Sequence, residues 1–305
     1  MSEEMMNTQE VARYLQIHEK QVYALIKAGR IPATRVTGKW LFPKKLIDQW
    51  ITSDAQKGFA QARQKSRKIA GALLAAGSND PVLDILQTFM RRNYPEFYIF
   101  SANTGSLSGL FALNAGHTDI AWSHLLDQES GTYNIPYLAT HLSGLHPIVV
   151  NLFYRELGFL TAPGNPFGIG GFGDLSGAGL RFINRQAGSG TRVLLDQGLK
   201  KAGIPPEAIK CCGHEVYTHL EVGLAILSRR ADAGIATMAV SQLLGLPFIP
   251  ITRENFDMIL DKDTFFDRGV QAFIEVLKSA TFRQNVEPLG SYDFKDSGRI
   301  MYAAN

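Results

Sequence analysis

The chain contains 305 residues, 45% of them hydrophobic and 19% charged, and carries a net charge of +3. This composition is typical of a globular protein with two or three compact units and excludes a largely disordered chain. No run of apolar residues approaches the ~18 that a membrane helix needs, and the amino-terminal residues lack the pattern of a leader peptide. The sequence therefore predicts a soluble, cytoplasmic protein with no membrane partner.

The charge is unevenly distributed along the chain. Residues 1–68 hold 13 Lys and Arg against 6 Asp and Glu, whereas residues 69–305 hold 18 against 22. The first segment therefore carries about +7 and the remainder about −4. A basic segment attached to an acidic body is expected of a protein with one nucleic-acid-binding face.

Residues 1–53 are predicted to form a winged helix-turn-helix domain. Asn7 or Thr8 can cap a first short helix by accepting a backbone hydrogen bond. A second helix is expected to begin near His18 and to end at Gly29, since glycine suits the left-handed conformation at a helix end. The polar and basic outer face of this helix fits a DNA major groove.

A hairpin and a third helix complete this predicted domain. Two extended runs meet at Thr37-Gly38, which predicts a hairpin that serves as the wing. Pro43 then opens a helix over residues 44–51. We expect the second helix to contact base edges and the wing to contact phosphates. The residues predicted to bind DNA are Lys20, Gln21, Tyr23, Lys27, Arg30, Arg35 and Lys39.

The order of these elements over residues 5–51 resembles the excisionase-family DNA-binding domain, which is related to the MerR-type winged helix. The shared features are a second helix that ends in Leu-Ile-x-x-Gly-Arg-Ile-Pro, a wing that ends in an aromatic residue, and a last helix that carries Trp50. The resemblance implies DNA binding. Residues 54–68 follow as a basic linker, extended or helical, that can also contact phosphates.

The rest of the chain alternates strand and helix patterns. An apolar run over 69–76 is typical of a buried parallel strand, and Pro81 stands where a following helix begins. Further strand patterns occur over 97–100, 119–122 and 180–185. This alternation predicts an α/β fold with right-handed crossover connections.

Ser or Thr hydroxyls stand at three predicted strand-to-helix junctions. They lie in the segments Gly77-Ser78-Asn79, Thr104-Gly105-Ser106 and Gly188-Ser189-Gly190-Thr191. Each alone would be an ordinary helix cap. Because ligands of such sheets collect where strand ends meet helix starts, the three together predict a cage for an anion. The residues predicted to bind it are Ser78, Asn79, Thr104, Ser106, Arg185, Gly188, Ser189, Gly190, Thr191, Arg192 and Tyr217, the last either closing the cleft or packing.

The segment Ile69–Asn305 resembles the periplasmic-binding-protein-like domain of cytoplasmic regulators, and is similar to the binding proteins for molybdate and tungstate. The resemblance is most specific at Phe182–Arg192, although tungstate-binding proteins usually carry Ser-Arg-Gly-Asp where this chain has Asn184-Arg185-Gln186-Ala187. It implies a two-lobed type II periplasmic-binding-protein-like fold with ligand in the cleft. The complete chain is then an α/β protein with an N-terminal winged helix-turn-helix followed by that domain.

The strand patterns also predict the boundaries of the lobes. An apolar strand over 149–154 and a proline-containing strand over 246–251 are expected to cross between them. Lobe one would comprise residues 69–155 and 246–305, and lobe two residues 156–245. Closure of the cleft on a ligand would supply the two states that a sensor needs.

The hydrogen-bonding side chains at the three junctions indicate which kind of anion would bind. A protonated oxyanion such as hydrogen phosphate needs a hydrogen-bond acceptor, whereas molybdate, tungstate and sulfate present acceptors only. Asp80 is assigned to the first turn of a helix and Asp232 to the start of a strand, so the predicted cage consists of donors. The sequence therefore predicts molybdate or tungstate, chiefly through the resemblance.

The remaining polar residues are assigned no functional role. The histidines lack the spacing of a zinc site, and Cys211, Cys212 and His214 are too few for a metal centre. We therefore expect neither a catalytic residue, nor a cofactor, nor a metal. The glycine-rich segment 168–173 is expected to be a flexible loop between the lobes.

These inferences combine into a one-component transcriptional regulator that binds DNA and senses a small oxyanion. Because one module of about 50 residues contacts too little DNA for tight specific binding, we expect a homodimer or a higher homo-oligomer. Two alternatives stay open. One is an enzyme that uses the same cleft, and the other is an architectural or recombination accessory protein whose body senses no ligand.

Overall fold

The computed structural model describes residues 4–177, 179–211, 213, 215–290 and 292–304. The chain divides into two compact units, Met1–Arg67 and Lys68–Asn305. Within these described ranges, no helix has both the length and the apolar character needed to cross a membrane.

The first unit combines helices with a small sheet. Its elements are β1 (Met5–Met6), α1 (Thr8–Tyr14), α2 (Glu19–Lys27), β2 (Thr34–Val36), β3 (Lys39–Pro43) and α3 (Lys44–Ile69). The strand β1, which the sequence patterns did not predict, pairs with β3 and gives the strand order β1-β3-β2. The helix α3 is longer than the expected 44–51 and includes the expected linker 54–68. That segment is rich in Ala, Gln, Lys and Arg, which favour helix.

Local sequence explains the remaining elements of this unit. The Oδ1 atom of Asn7 accepts from the backbone N–H of Glu10 (3.0 Å), and the Glu10 carboxylate accepts from the backbone N–H of Asn7 (2.8 Å), which is a capping box for α1. Thr37 and Gly38 both have positive φ (48° and 84°), as a type I′ turn requires between β2 and β3. The buried core consists of Met6, Val11, Ala12, Val22, Ile31, Phe42 and Ile47.

The second unit alternates strands and helices. Its elements are β4 (Ala72–Gly77), α4 (Pro81–Asn93), β5 (Tyr98–Asn103), α5 (Ser106–Asn114), β6 (Ile120–Ser123), α6 (Ile135–His141), β7 (Pro147–Thr161), β8 (Phe182–Ile183), α7 (Gly190–Ala202), α8 (His219–Leu227), β9 (Ala233–Thr237), α9 (Met238–Leu244), β10 (Phe248–Asp261), α10 (Lys262–Phe265), α11 (Arg268–Lys278), α12 (Ala280–Val286) and β11 (Ile300–Ala303). Short 3₁₀ turns lie at Phe172–Ser176, Pro206–Ala208 and Glu287–Leu289.

These strands form one curled sheet with the order β5-β4-β6-β10-β7-β9-β8, and β11 pairs with β7. The strand β4 is parallel to β5 and β6, and β8 is parallel to β9. The long strands β7 and β10 pair antiparallel over almost their whole length. The expected α/β fold, a winged helix-turn-helix followed by a two-lobed body, is confirmed.

Separate hydrophobic cores lie toward the two ends of β7 and β10, and we call the surrounding regions lobe one and lobe two. The core of lobe one includes Leu86, Trp122, Phe153, Phe256 and Phe273. That of lobe two includes Leu157, Phe159, Phe182, Leu195 and Ile235. Since β7 supplies Phe153 to one core and Leu157 and Phe159 to the other, it crosses between the lobes.

Two local expectations were wrong. The sequence pattern predicts a polar loop over residues 101–108 and a helix over 110–115, whereas α5 begins at Ser106, because Gly105 adopts φ +85° and turns the chain directly into the helix. The segment 168–173 is not a loop between the lobes. Ile169 is buried in the core of lobe two, and the ring of Phe172 packs edge-on against Phe159 with centroids 5.1 Å apart.

A buried carboxylate fixes the loop that follows β6. The Oδ2 and Oδ1 atoms of Asp257 accept from the side-chain amides of Asn134 (2.7 Å) and Asn151 (2.9 Å). Asn134 also accepts from the backbone N–H of Leu125 (2.8 Å), which anchors this loop. Burial raises the pKa of Asp257 from 3.8 to about 7, although both asparagine amides act in the opposite direction.

This raised pKa predicts how stability depends on pH. Since the folded pKa lies above the unfolded one, the contribution of Asp257 is complete below about pH 4 and is lost as the pH rises through 7. We expect this group to lower the unfolding free energy by up to ~1.4 kcal/mol per pH unit in that interval. Urea unfolding of wild type and Asp257→Asn between pH 5 and 8 measures it. A variant whose stability follows the same slope as wild type would contradict the assignment.

Candidate functional site

The carboxyl ends of β4, β5 and β6 lie side by side in lobe one. The backbone N–H of Ser78 donates to the carbonyl of Trp122 (3.0 Å). Those of Thr104 and Gly105 both donate to the carbonyl of Gly77 (2.9 Å each). The segments that follow these parallel strands therefore meet at one edge of the sheet, which is where ligands bind in such folds.

A loop of lobe two, residues 185–191, packs directly against that edge. The backbone N–H of Leu107 donates to the carbonyl of Gly188 (3.2 Å). Gly190 lies so close to His124 that a Cβ atom placed there would be 2.6 Å from its ring. The three hydroxyl-bearing junctions of the sequence analysis thus come together, and the cleft between the lobes is closed at this point.

Many polar atoms around this junction are buried without a hydrogen-bond partner in the described part of the chain. The hydroxyl oxygens are Ser78 Oγ, Thr104 Oγ1, Ser123 Oγ, Thr191 Oγ1 and Thr237 Oγ1, and the nitrogens are His124 Nε2, Arg185 Nη1, Gln186 Nε2 and His219 Nδ1. We call this set the cage. Since each unsatisfied buried polar atom costs about 1–3 kcal/mol, such a cluster indicates a place for a polar ligand.

A buried ion cluster lies beside the cage. Arg155 and Glu254 face each other on β7 and β10, with Nε and Oε1 2.7 Å apart. Asp80 approaches Arg155 Nη1 to 2.6 Å, and His124 Nδ1 lies 2.8 Å from Glu254 Oε2. Burial alone would lower the pKa of Arg155, but the Glu254 and Asp80 carboxylates outweigh it and raise that pKa. Since the pKa of Glu254 is lowered at the same time, Arg155 and Glu254 are held as an ion pair.

Arg185 is a second buried arginine, only 2% exposed, with a different environment. Its Nη2 donates to the carbonyl of Tyr217 (2.8 Å) and its Nε to Oε1 of Gln186 (3.3 Å). Burial, and then the nearby charge of Arg155, lower its pKa to about 10, which leaves it charged at neutral pH. In the part of the chain that the structure describes, Arg185 forms no ion pair, and only the more distant charges of Glu221 and Glu254 act to raise its pKa.

Two histidines that the sequence analysis assigned no role also lie here. His124 and His219 are almost completely buried, with ring centroids 6.4 Å apart. Burial is the main reason why the pKa of each ring is lowered, so both are neutral near pH 7. Their positions in the sequence could have indicated a role at the site, since His124 directly follows β6 at the same sheet edge and His219 is the first residue of α8.

Three predicted ligand residues direct their side chains elsewhere. The amide of Asn79 lies 3.4 Å from a surface asparagine of β5. Arg192 pairs with Asp196 (2.8 Å) and Glu215 (2.9 Å) at the surface, and only its backbone N–H reaches Ser189 Oγ. The ring of Tyr217 is 54% exposed. The other predicted side chains, those of Ser78, Thr104, Ser106, Arg185, Ser189 and Thr191, belong to buried residues or carry buried oxygens around the junction.

The structure extends the assignment of Asp80. Asp80 precedes α4 by one residue instead of lying in the first turn, and there its Oδ1 caps the helix while its Oδ2 is the partner of Arg155. Asp232 pairs with Arg181 (2.7 Å) directly before β9, in agreement with its assigned place at a strand start. The sequence does contain a sign that Arg155 and Glu254 are important, since each is a charged residue within a strand that crosses between the lobes.

In the first unit, the residues predicted to bind DNA are all exposed. Lys20, Tyr23 and Lys27 lie about one helical turn apart on α2, and Tyr23 is 49% exposed. On the wing, the guanidinium of Arg35 lies 5.8 Å from the ring centroid of Trp40 and its Nε donates to the carbonyl of Gly38 (3.3 Å). The arrangement presents a cationic helix face and a cationic hairpin to solvent.

Among the described residues, no group of three His, Cys, Asp or Glu side chains is arranged to hold a metal ion. Cys211 is exposed and its thiol is free. Cys212 and His214, which the sequence analysis considered with it, lie outside the described residues.

The two buried arginines should respond differently to the same substitution. Arg155→Met leaves Asp80 and Glu254 buried without their cation and should cost ~3–5 kcal/mol of unfolding free energy. Arg185→Met removes a cation without a carboxylate partner, and the loss of its hydrogen bonds should cost only about 1 kcal/mol. Urea unfolding followed by circular dichroism in anion-free buffer gives both values. Equal losses would show that the carboxylates paired with Arg155 do not distinguish it from Arg185.

Comparison with known proteins identifies the family of this chain. The PBP superfamily domain matches residues 87–278, and a helix-turn-helix domain matches residues 5–55. The uncharacterized protein YvgK of Bacillus subtilis (strain 168) is 31% identical over 300 residues, covering 96% of each chain.

Solved structures show the same fold. A putative phosphate ABC transporter substrate-binding protein from Clostridium perfringens, with bound phosphate, has a TM-score of 0.54 at 14% identity, covering 73% of this chain and 100% of its own. Corynebacterium glutamicum OxyR, as an H2O2-bound mutant, has a TM-score of 0.52 at 14% identity, covering 93% and 89%. At these identities the likeness concerns the fold alone. The chain therefore belongs to the family of the PBP superfamily domain and carries a helix-turn-helix domain at its amino-terminal end.

Proposed function

We propose that this protein is a one-component transcriptional regulator whose first unit binds DNA and whose second unit senses a small oxyanion in the cage. The observation that carries the proposal is Arg185, a buried guanidinium without an ion pair among the described residues, surrounded by unpartnered donors. A bound oxyanion would pair with this charge and satisfy those donors together. The proposal contains no catalytic step.

Helix dipoles support the choice of an anion. The helices α4, α5, α7 and α8 all begin at or next to the cage, at Pro81, Ser106, Gly190 and His219. The amino-terminal end of a helix carries a partial positive charge and free backbone N–H groups. Several such ends next to the cage favour a negative ligand there.

The division of the cage between the lobes supports a sensor. Lobe one supplies Ser78, Thr104 and His124, and lobe two supplies Arg185 and Thr191. An anion that bonds to both sets stabilises the closed cleft relative to an open one, which is the differential binding that a two-state sensor needs. We further propose the lobe boundaries given by sequence, residues 69–155 with 246–305 and residues 156–245, and a homodimer that places two DNA-binding units on one operator.

The oxyanion is best sought among tetrahedral anions. Because the sequence motif around Arg185 resembles that of tungstate-binding proteins, the candidates are molybdate and tungstate together with phosphate and sulfate. Isothermal titration calorimetry of the full chain with each anion identifies the ligand. The proposed site requires that Arg185→Met weaken binding about 100-fold or more, since a charge-assisted bond is lost in a buried site.

Arg181→Met is the matched control, because Arg181 lies in lobe two and pairs with Asp232 away from the cage. The affinity of the Arg181→Met variant for the anion should stay within about twofold of wild type. No heat with any of the four anions would overturn the sensor assignment. If the protein is instead an enzyme, the anion recovered from the titration cell after incubation should be chemically altered. A sensor should leave it unchanged.

A separate experiment tests whether the protein binds DNA and whether the anion changes that binding. We expect the affinity for duplex DNA, measured by fluorescence anisotropy, to change when the identified anion is added. Affinity that is indifferent to the anion would favour the accessory-protein alternative. Because coupling is reciprocal, DNA should change the affinity for the anion by the same factor.

The wing residues should carry the salt dependence of DNA binding. If Arg35 and Lys39 each neutralise one phosphate, Arg35→Ala and Lys39→Ala should each make the slope of log K against log salt shallower by about 0.9. Lys200→Ala removes an exposed lysine of α7 in the second unit and should leave the slope unchanged. Wing variants that keep the wild-type slope would exclude the wing from the DNA contact.

A further inference from the structure

We propose that the cage selects an oxyanion that retains one hydroxyl proton, such as hydrogen phosphate, and that His124 Nε2 accepts the hydrogen bond from this hydroxyl. The inference rests on the proposed function and deepens it, because it names the class of anion. It departs from the molybdate or tungstate that the sequence suggested.

The hydrogen-bond role of His124 is set by its buried partner. The Nδ1 atom lies 2.8 Å from Oε2 of Glu254, whose other oxygen contacts the guanidinium of Arg155 at 2.7 Å. A carboxylate in an ion pair only accepts hydrogen bonds, so the proton between them belongs to Nδ1. In a neutral ring the remaining nitrogen, Nε2, then bears a lone pair.

The surroundings of His124 keep its ring neutral. Arg155 of β7, Arg185 of the lobe-two loop and His219 of α8 all face it from neighbouring elements, and only Glu254 of β10 opposes them. Burial and the two guanidinium groups disfavour an imidazolium, and the pKa of the ring is accordingly lowered. The buried Nε2 atom therefore offers an acceptor, and within the described residues it has no partner.

His219 has the opposite role. Its Nε2 lies 3.4 Å from Arg155 Nη2, and because a guanidinium only donates, that nitrogen must be the acceptor. The proton of the neutral ring is then on Nδ1, which is buried and unpartnered over the described ranges. The two neighbouring histidines thus carry one fixed acceptor and one fixed donor, both buried.

This pattern discriminates between anions. The fixed donors Arg185 Nη1, Gln186 Nε2 and His219 Nδ1 suit any oxyanion, and the Ser and Thr hydroxyls can rotate to suit it as well. His124 Nε2 is the exception, because an unprotonated oxygen placed against it meets a second lone pair. Sulfate, molybdate and tungstate can occupy the cage only if His124 first takes up a proton, whereas hydrogen phosphate brings its own.

Calorimetry of the full chain at pH 8 tests this directly, with phosphate, sulfate and molybdate each titrated in two buffers of different ionisation enthalpy. Phosphate, which at this pH is mainly the dianion with one hydroxyl, should bind at least about tenfold more tightly than the other two. It should bind with no net proton uptake. Sulfate and molybdate should bind with uptake of about one proton per site and should weaken as the pH rises.

Sulfate or molybdate that binds as tightly as phosphate and without proton uptake would overturn this inference while leaving the sensor intact. If none of the three binds, the proposed function fails and the inference falls with it. These outcomes are measured on the wild-type chain, so they do not depend on a variant that folds.

Variants assign the preference to His124. Glu254→Gln supplies an amide that can donate to Nδ1 and so allows the proton to move to Nε2, which should reduce the preference for phosphate over sulfate. His219→Gln is the matched control, because it alters a donor that every oxyanion uses. It should weaken phosphate and sulfate alike and keep their ratio, and a ratio that changes in this control but not in Glu254→Gln would refute the role of His124.

Discussion

The buried ion pair between Arg155 and Glu254 is the interaction on which the organisation of the second unit depends. The two residues face each other on β7 and β10, the strands that pass through both lobes. Asp80 and His124 join this pair to lobe one, and His219 joins it to lobe two. Because neither charge can be left unpaired in a buried environment, the pair fixes the backbone at the point where the lobes meet.

The cage next to this pair has the opposite electrostatic character. Arg155 is matched by two carboxylates, whereas Arg185, in the same buried region, is matched by none in the described residues. The balanced pair needs no ligand, whereas the unpaired cation would favour a bound anion. Since Arg185 belongs to lobe two and Ser78 to lobe one, pairing the charge and holding the cleft closed would be the same event.

Much of this structure could be predicted from interactions between residues that are adjacent in the sequence. The capping box at Asn7 and the turn at Thr37-Gly38 depend on a few adjacent residues, as do the hydroxyls at strand ends, and all could be predicted. The ion pair of Arg155 and Glu254 could not be predicted, because these residues are 99 positions apart and meet only through the register of two strands. Short β1 is likewise defined by its partner strand, and the tautomer of His124 depends on a carboxylate from another element.

A crystal structure of the full chain grown with phosphate would show which atoms meet the anion. We expect a phosphate within hydrogen-bond distance, about 3 Å, of Arg185 Nη1 and Ser78 Oγ, with one oxygen directed at His124 Nε2. A structure in which water alone joins these atoms, while phosphate binds elsewhere or not at all, would contradict this expectation.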